Sequence, residues 1–156
     1  MRFSEHQLFP NWIRFGLILV AFCSTAIMVY TETHRLLIGS SAVIMTIVAI
    51  TFYIWNLQTT IDSRNISIEI KPFVKKSFPL ADIKEWEVRR YGPIAEYGGW
   101  GVRYSANGTA YNVRGNIGLD LVFNENTKLL IGTQRGKEIK RILKAIIPEK
   151  ERTIDA

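Results

Sequence analysis

The sequence predicts an α-helical transmembrane hairpin followed by a mainly β domain of about seven antiparallel strands, capped by a C-terminal helix. Two long uncharged apolar segments lie before Trp55, and short alternating segments separated by turn residues follow it. Charge is divided in the same way, because 17 of the 20 Lys and Arg residues and 12 of the 14 Asp and Glu residues follow Trp55. We therefore expect a hairpin over residues 1–56, a β domain over 57–148 and a polar tail over 149–156.

The two apolar segments have the length of membrane spans. Leu36–Trp55 contains twenty uncharged residues, which as a helix extend about 30 Å, the thickness of the hydrocarbon core of a bilayer. The earlier segment, Phe15–Tyr30, has sixteen such residues and reaches spanning length if residues 12–14 are added, since the guanidinium of Arg14 can reach the headgroups. The five residues Thr31–Arg35 then predict an antiparallel return, with spans over 12–31 and 36–55.

The flanking charges predict the orientation of this hairpin. Five basic residues flank it on the side of the chain ends and one lies in its turn; they are Arg2, Arg14, Arg64, Lys71 and Lys75, against Arg35. The positive-inside rule then places both termini in the cytoplasm of a multi-pass protein of the cytoplasmic (inner) membrane. Trp12 and Trp55 would anchor the inner interface and Tyr30 the outer one, with the lipid bilayer as the first partner.

The first apolar segment has two other interpretations. A cleaved signal peptide is disfavoured because no A-x-A-like site follows and Glu5 weakens the basic leader. A lipoprotein signal ending at Cys23 is disfavoured by the bulky Phe22 before it. Small residues in both segments serve either packing within the hairpin or a dimer contact. No ionisable Asp, Glu, Lys, Arg or His lies in 15–30 or 36–55, which argues against a proton or ion pathway.

After Trp55 the apolar residues recur with a period of two. Ile66, Ile68 and Ile70 alternate with polar residues, as in a strand with one buried face. Further short strands are expected at 73–78, 83–90, 101–104, 111–113, 119–123 and 129–133. Gly, Pro and Asn residues separate them, which predicts an antiparallel sheet that is curled or doubled to hide its edges.

The last predicted element is an amphipathic helix that covers one end of the sheet. Its apolar stripe consists of Ile139, Ile142, Leu143, Ile146 and Ile147. A basic stripe lies on the opposite side and consists of Lys137, Lys140, Arg141 and Lys144. This basic stripe is either a solvated face or an attachment point for anionic lipid or an acidic partner.

The sequence predicts no catalytic, cofactor or metal site. Gly132–Lys137 resembles a phosphate-binding loop, but it has three residues between the glycines where the Walker pattern needs four, and Glu138 follows the lysine. The two histidines, His6 and His34, both precede the β domain, and Cys23 is the single cysteine. A Lys/Glu or paired-carboxylate enzyme stays open without any spacing that points to one. Dispersed basic residues disfavour nucleic-acid binding.

Tyr97–Gly101 is the most unusual segment of the β domain. Three glycines surround Trp100, which indicates a backbone with positive φ or a close approach to another chain segment. Trp100 is then either an exposed anchor for a ligand or partner, or a lid folded back onto the sheet.

Three segments together carry a resemblance to a known family. Tyr97–Gly101 (YGGWG), Gly118–Val122 (GLDLV) and Ile131–Arg135 (IGTQR) are similar to segments of small bacterial membrane proteins in which a two-helix anchor precedes a cytoplasmic pleckstrin-homology-like (PH-like) domain. The resemblance covers roughly residues 57–147. It implies a seven-stranded, strongly bent sheet closed at one end by the C-terminal helix, and it offers no catalytic residues.

These observations predict a membrane-anchored, non-enzymatic PH-like module that binds a protein or lipid headgroups at the cytoplasmic leaflet. The predicted lipid or partner contacts are Lys75, Lys76, Arg89, Arg90, Arg103 and Trp100. The alternative is an accessory subunit that stabilises another membrane protein through the helical hairpin, and an undetected enzyme is the least favoured interpretation. No cofactor is expected.

Overall fold

The computed structural model describes residues 2–30, 35–54, 56–71 and 74–152. Within the two long helices it leaves out the side chains of residues 28–30, 35–38, 41, 42, 52 and 54. The chain divides into two units, one comprising residues up to Leu8 together with those from Asn56 onward, and the other spanning Phe9–Trp55. Each unit is described by itself below.

The Phe9–Trp55 unit is a pair of antiparallel helices, α1 (Asn11–Tyr30) and α2 (Arg35–Ile54). The guanidinium of Arg14 lies 4.3 Å from the ring centroid of Tyr53, so the start of α1 contacts the end of α2. Hydroxyl groups in α1 bond within their own helix, as where Thr25 donates to the carbonyl of Ala21. Many large apolar side chains of both helices are exposed, among them Trp12, Phe15, Leu19, Phe22, Val43, Ile44, Ile47, Ile50 and Tyr53.

The transmembrane part of the predicted fold class is wrong. Within the described stretches of the chain, no helix combines the length and the apolar character that a bilayer crossing demands. The predicted localisation, multi-pass with both termini in the cytoplasm, is corrected with it.

The other unit begins with a four-stranded antiparallel sheet, called here the first sheet. Its strands follow in the order β1-β2-β3-β4. Their bounds are β1 Phe3–Leu8, β2 Asn56–Ile61, β3 Asn65–Lys71 and β4 Val74–Pro79. Strand β1 pairs with β2 along its whole length, from Phe3 opposite Ile61 to Leu8 opposite Asn56. Two strands that lie 47 residues apart in the sequence, with α1 and α2 between them, are therefore neighbours in the sheet.

A second sheet contains five strands in the order β5-β8-β9-β7-β6. The bounds are β5 Ile83–Arg90, β6 Gly101–Ser105, β7 Gly108–Asn112, β8 Ile117–Phe123 and β9 Lys128–Gly132, and a short helix α3 (Pro93–Tyr97) precedes β6. Strand β7 runs parallel to β9. The prediction of about seven strands, all antiparallel, is therefore wrong. The β6–β7 hairpin forms a parallel pair with a strand outside its own sequence neighbourhood, and alternation along a single segment carries no information on that pairing.

The C-terminal helix α4 (Gly136–Ile146) buries the apolar stripe that the sequence indicates. Ile139 and Leu143 have no exposed surface, and Ile142 is also buried. Beyond the helix, the indole of the fully buried Trp86 on β5 donates a hydrogen bond of 2.9 Å to the carbonyl of Ile147. This bond fixes the end of α4 against β5.

Strand β1 also connects the first sheet to the corner between β9 and α4. The buried carboxylate of Glu5 accepts a hydrogen bond of 2.6 Å from the hydroxyl of Thr133 and one of 2.8 Å from the N–H of Gln134. The side-chain amide of Gln7 donates to the carbonyl of Gly132 at 2.7 Å. Two polar residues thus occupy inward positions of β1, and their partners come from the corner segment.

Candidate functional site

A cavity of about 500 Å³ opens between β4 of the first sheet and three strands of the second sheet. The second sheet contributes β7, the end of β8 and the start of β9. We call it the Lys76 cavity. Its apolar part is aromatic, because the rings of Phe78 and Phe123 lie 5.3 Å apart between centroids and Tyr111 is 1% exposed beside them. Cavities of this size that combine an apolar wall with a few polar groups are the usual form of small-ligand sites.

Lys76 is exposed on the edge strand β4, but its register places it on the same face of the first sheet as the buried apolar residues of β3. It lies opposite Ile68 on β3, and the fully buried Ile66, Ile68 and Ile70 define the inner face of that strand. Directly opposed residues of an antiparallel pair share a face. The neighbouring Lys75 therefore points outward, where it lies opposite Glu69.

The ammonium group of Lys76 lies 5.9 Å from the ring centroid of Tyr111. This is within the range of a cation–π interaction, which satisfies a cation less completely than a carboxylate does. Within the described part of the chain, no ion pair of Lys76 is found. The cavity therefore holds a cation that is directed toward an aromatic wall and is free to pair with an incoming anion.

The rim of the cavity carries charges of both signs. Glu125 lies in the turn between β8 and β9, and Lys128 is the first residue of β9. Asp82 lies in the turn before β5. The N–H of Asn124 donates to the carbonyl of Asp82 at 3.0 Å, which ties these two turns together. With two basic and two acidic side chains around it, the cavity is suited to a ligand with one anionic group better than to a highly charged one.

Gly108 holds the β6–β7 turn close to the cavity. It has a φ of 105°, and a Cβ at this position would collide with the backbone carbonyl of Lys128. Glycine is therefore required both for the conformation and for the close approach. That approach places Thr109 beside Leu129 in the parallel β7–β9 pair, where both line the cavity.

A second group of ionisable residues lies at the end of β5 and is paired internally. The guanidinium of Arg89 contacts Asp120 and Glu96, each at 2.9 Å, and Glu96 also accepts a hydrogen bond of 2.6 Å from the N–H of Gly92. Burial acts to lower the pKa of Arg89, but the hydrogen bonds that Arg89 donates to Glu96 and Asp120 outweigh burial and raise that pKa. The hydrogen bond from Arg89 holds the pKa of Glu96 below its usual range.

The same region contains two buried tyrosines in an edge-to-face contact. The rings of Tyr91 and Tyr97 lie 6.0 Å apart at 78°. Burial raises the pKa of the Tyr91 hydroxyl to about 12, and burial also raises that of Tyr97. The two tyrosines are thus packed beside an ion-pair network in which Arg89 of β5 binds both Glu96 of α3 and Asp120 of β8, and this network holds α3 on the second sheet.

The glycine-rich segment adopts the unusual backbone that its composition predicts. Gly98, Gly99 and Gly101 all have positive φ, at 72°, 130° and 112°. Trp100 is half-buried, and its indole donates to the carbonyl of Gly115 at 3.3 Å. The guanidinium of the exposed Arg103 donates to the carbonyl of Trp100 at 3.0 Å. Trp100 thus combines the two interpretations, because one part of it packs and another part reaches solvent.

The structure does not bring the predicted binding residues into one site. Lys75 and Lys76 lie on β4 with opposite orientations, Arg89 and Arg90 end β5, and Arg103 lies on β6. Only Lys76 contributes to the Lys76 cavity. Of the predicted interfacial anchors, Trp12 is exposed in the first turn of α1, while the side chain of Tyr30 and the whole of Trp55 lie outside the described residues.

The aromatic wall of the cavity is not predicted by the sequence analysis above. Phe78, Tyr111 and Phe123 come from three strands whose pairing is not encoded locally. A signal was present for Lys76, because the alternation of Val74, Lys76 and Phe78 continues an apolar face with a lysine in its middle. An inward-facing charge of this kind on an edge strand has either a protective or a binding role.

No family model matches the chain, and no curated protein is significantly similar to it. The function is therefore inferred from the geometry of the Lys76 cavity and of the surfaces around it.

Proposed function

We propose that this protein is a non-enzymatic binding module with a PH-like domain, and that its Lys76 cavity takes a ligand with one anionic group on an apolar body. The observation that carries the proposal is the exposed ammonium of Lys76, which lines the cavity beside the aromatic wall formed by Phe78, Tyr111 and Phe123. The anion would pair with Lys76, and the apolar body would pack on the aromatic rings.

The strand order supports the PH-like part of the proposal. Strands β1 to β4 form one antiparallel meander, and β5, β8 and β9 form a second one that leads into α4. If the β6–β7 hairpin is set aside, six strands lie between α2 and the C-terminal helix, and β1, which comes before the two helices and pairs with β2, brings the number to the seven that the resemblance implies. The hairpin then counts as an addition that covers the outer edge of β9.

The charges of the cavity favour such a ligand over a polyphosphorylated headgroup. Asp82 and Glu125 balance the charges of Lys76 and Lys128, so the lining is not a basic cluster, and Lys76 is the cation that lies near the aromatic wall. Arg89 is already paired with two carboxylates, those of Glu96 and Asp120. A binding role also agrees with the aromatic wall, which supplies apolar contact area and no reacting group.

The experiment compares two adjacent lysines on one strand. The full chain is titrated with 1-naphthalenesulfonate, and binding is followed through the backbone amide shifts of Tyr111 and Leu129. The wild-type chain and Lys75→Gln should bind alike, whereas Lys76→Gln should bind about tenfold more weakly because it loses a charge-assisted contact worth about 1.5–3 kcal/mol.

Two outcomes would contradict the proposal. Equal weakening by Lys75→Gln and Lys76→Gln would show that the probe senses the charge of the edge strand and not the cavity. Shifts confined to residues outside the cavity lining, with Tyr111 and Leu129 unchanged, would place the probe elsewhere.

A specific observation favours a second candidate function. The helical unit exposes large apolar side chains from both helices. Monomeric proteins rarely expose so many apolar side chains close together, and large exposed apolar patches mark interaction sites. We propose as the alternative that this is an accessory subunit whose α1–α2 hairpin packs on another protein. Purification in mild detergent should then recover a stoichiometric partner, and replacing residues 11–54 by an unrelated hairpin should abolish its recovery. Retention of the partner after the replacement would contradict this role.

A further inference from the structure

The outer edge of β5 already accepts an added strand from the chain itself. Glu151 forms a parallel bridge with Trp86, and the N–H of Arg152 donates to the carbonyl of Trp86 at 2.9 Å. β5 is the end strand of the second sheet, so this edge has no other strand beside it in the described part of the chain. The described residues of the added segment, Glu151 and Arg152, lie beside the first half of β5.

The charges of this added segment match the half of β5 that it covers. Arg152 contacts Glu85 at 3.0 Å and Glu87 at 3.5 Å. Glu151 in turn is held by Lys140 and Lys144 of α4, each at 3.1 Å. Pairing at the β5 edge is therefore combined with ionic contacts to β5 on one side and to α4 on the other.

Beside the second half of the edge, the described residues leave a groove between β5 and the start of α4. The groove has a volume of about 230 Å³, and Val88 and Ile117 form its apolar floor. In a strand, alternate residues direct their N–H and C=O groups to the same side. Because the carbonyl of Trp86 points outward to Arg152, the backbone groups of Val88 point outward as well, toward this groove.

The groove is basic where the first half of the edge is acidic. Arg90 and Lys137 line it, and no ion pair of either side chain is found within the described stretches. Arg89 and Lys140 also line it but are committed to carboxylates of the protein. A segment that fills this groove therefore needs acidic side chains in place of the arginine that the first half accepts.

We propose that the β5–α4 groove binds an extended acidic segment of a partner protein, which runs parallel to β5 and continues the strand addition begun by Glu151 and Arg152. Its backbone pairs with Val88, an apolar side chain lies over Val88 and Ile117, and a carboxylate reaches Arg90 and Lys137. This surface is separate from the Lys76 cavity, and its lining shares no residue with it. The inference extends beyond the proposed function and does not depend on it.

The test uses the full chain and a fluorescein-labelled hexapeptide that alternates valine with aspartate. Fluorescence anisotropy should show binding that weakens between about 0.05 and 0.5 M salt, while a hexapeptide alternating valine with lysine should not bind. Lys137→Glu and Arg90→Glu should each weaken binding about fivefold to tenfold. The matched control is Arg141→Glu, an exposed residue of the same helix that does not line the groove, and it should leave the affinity unchanged.

Three results would overturn the inference. Equal weakening by Arg141→Glu would show non-specific attraction to a basic helix. Binding without any change in the amide resonance of Val88 would show that no strand is added at β5. Binding that appears only when the chain ends at Arg152 would show that the groove belongs to the chain's own residues 153–156 and not to a partner.

Discussion

Two buried threonines should respond in opposite ways to the same substitution. Thr133 and Thr59 are each 1% exposed, so Thr→Val changes the same atoms in a similarly dry surrounding. The hydroxyl of Thr133 donates to Glu5 at 2.6 Å and accepts from the N–H of Arg135 at 2.9 Å. The hydroxyl of Thr59 has no hydrogen-bond partner among the described residues.

The expected magnitudes follow from these partners. Thr133→Val removes a hydrogen bond to a buried carboxylate, worth about 1.5–3 kcal/mol, and leaves the N–H of Arg135 without its acceptor, so the free energy of unfolding should fall by about 2–4 kcal/mol. Thr59→Val removes an unsatisfied buried hydroxyl and should leave that free energy unchanged or raise it by about 1 kcal/mol.

Urea unfolding followed by circular dichroism measures both variants against the wild type. Through Glu5, β1 is expected to hold the corner between β9 and α4. A fall of less than about 0.5 kcal/mol in the free energy of unfolding of Thr133→Val would refute this structural role. A loss in Thr59→Val equal to that in Thr133→Val would show that valine is poorly tolerated at buried positions in general, and the hydrogen bond to Glu5 would then not be the cause.

Three further predictions concern pH and backbone geometry. Because the pKa of Tyr91 is raised to about 12 in the folded protein and its usual value is 10.0, the unfolded chain loses the proton first and stability should fall between pH 10 and 12; Tyr91→Phe should remove this loss in alkaline thermal melts. Because the pKa of Glu96 is lowered from 4.5, its stabilising effect should be present above that value and be lost as pH falls below it, and Glu96→Gln should flatten the acid side of the stability profile. Gly108→Ala should cost about 2–3 kcal/mol in urea unfolding, since it adds strain at positive φ to a backbone collision, whereas Gly16→Ala, which meets nothing within 4 Å in α1, should cost nothing. A Gly108→Ala variant as stable as the wild type would show that the β6–β7 turn can move away from β9.

The strands after Asn65 could be predicted because each has its own alternation and its own turn residues. Strand β1 could not, since its inward positions are Phe3, Glu5 and Gln7. A buried glutamate and glutamine do not look like a core face until Gly132, Thr133 and Gln134 are known to satisfy them. Polar inward positions with distant partners are invisible to a pattern of apolar residues.

The structure also overturns the predicted transmembrane hairpin and the predicted all-antiparallel sheet. The transmembrane interpretation depended on the absence of charge over whole segments, and the described helices do not meet the requirements of a crossing. The parallel β7–β9 pair depends on Gly108, whose missing side chain allows a close approach that no local period reports. The candidate site was predictable only through Lys76, because the aromatic wall is assembled by the strand order.

The binding position of an anion tests the proposed role of the Lys76 cavity most directly. A crystal structure of the chain grown with 1-naphthalenesulfonate should place the sulfonate about 3 Å from Nζ of Lys76, with the ring system against Phe78 and Phe123. A sulfonate bound at any other cation, with the cavity between β4 and β9 empty or filled by a displaced Lys76 side chain, would contradict it.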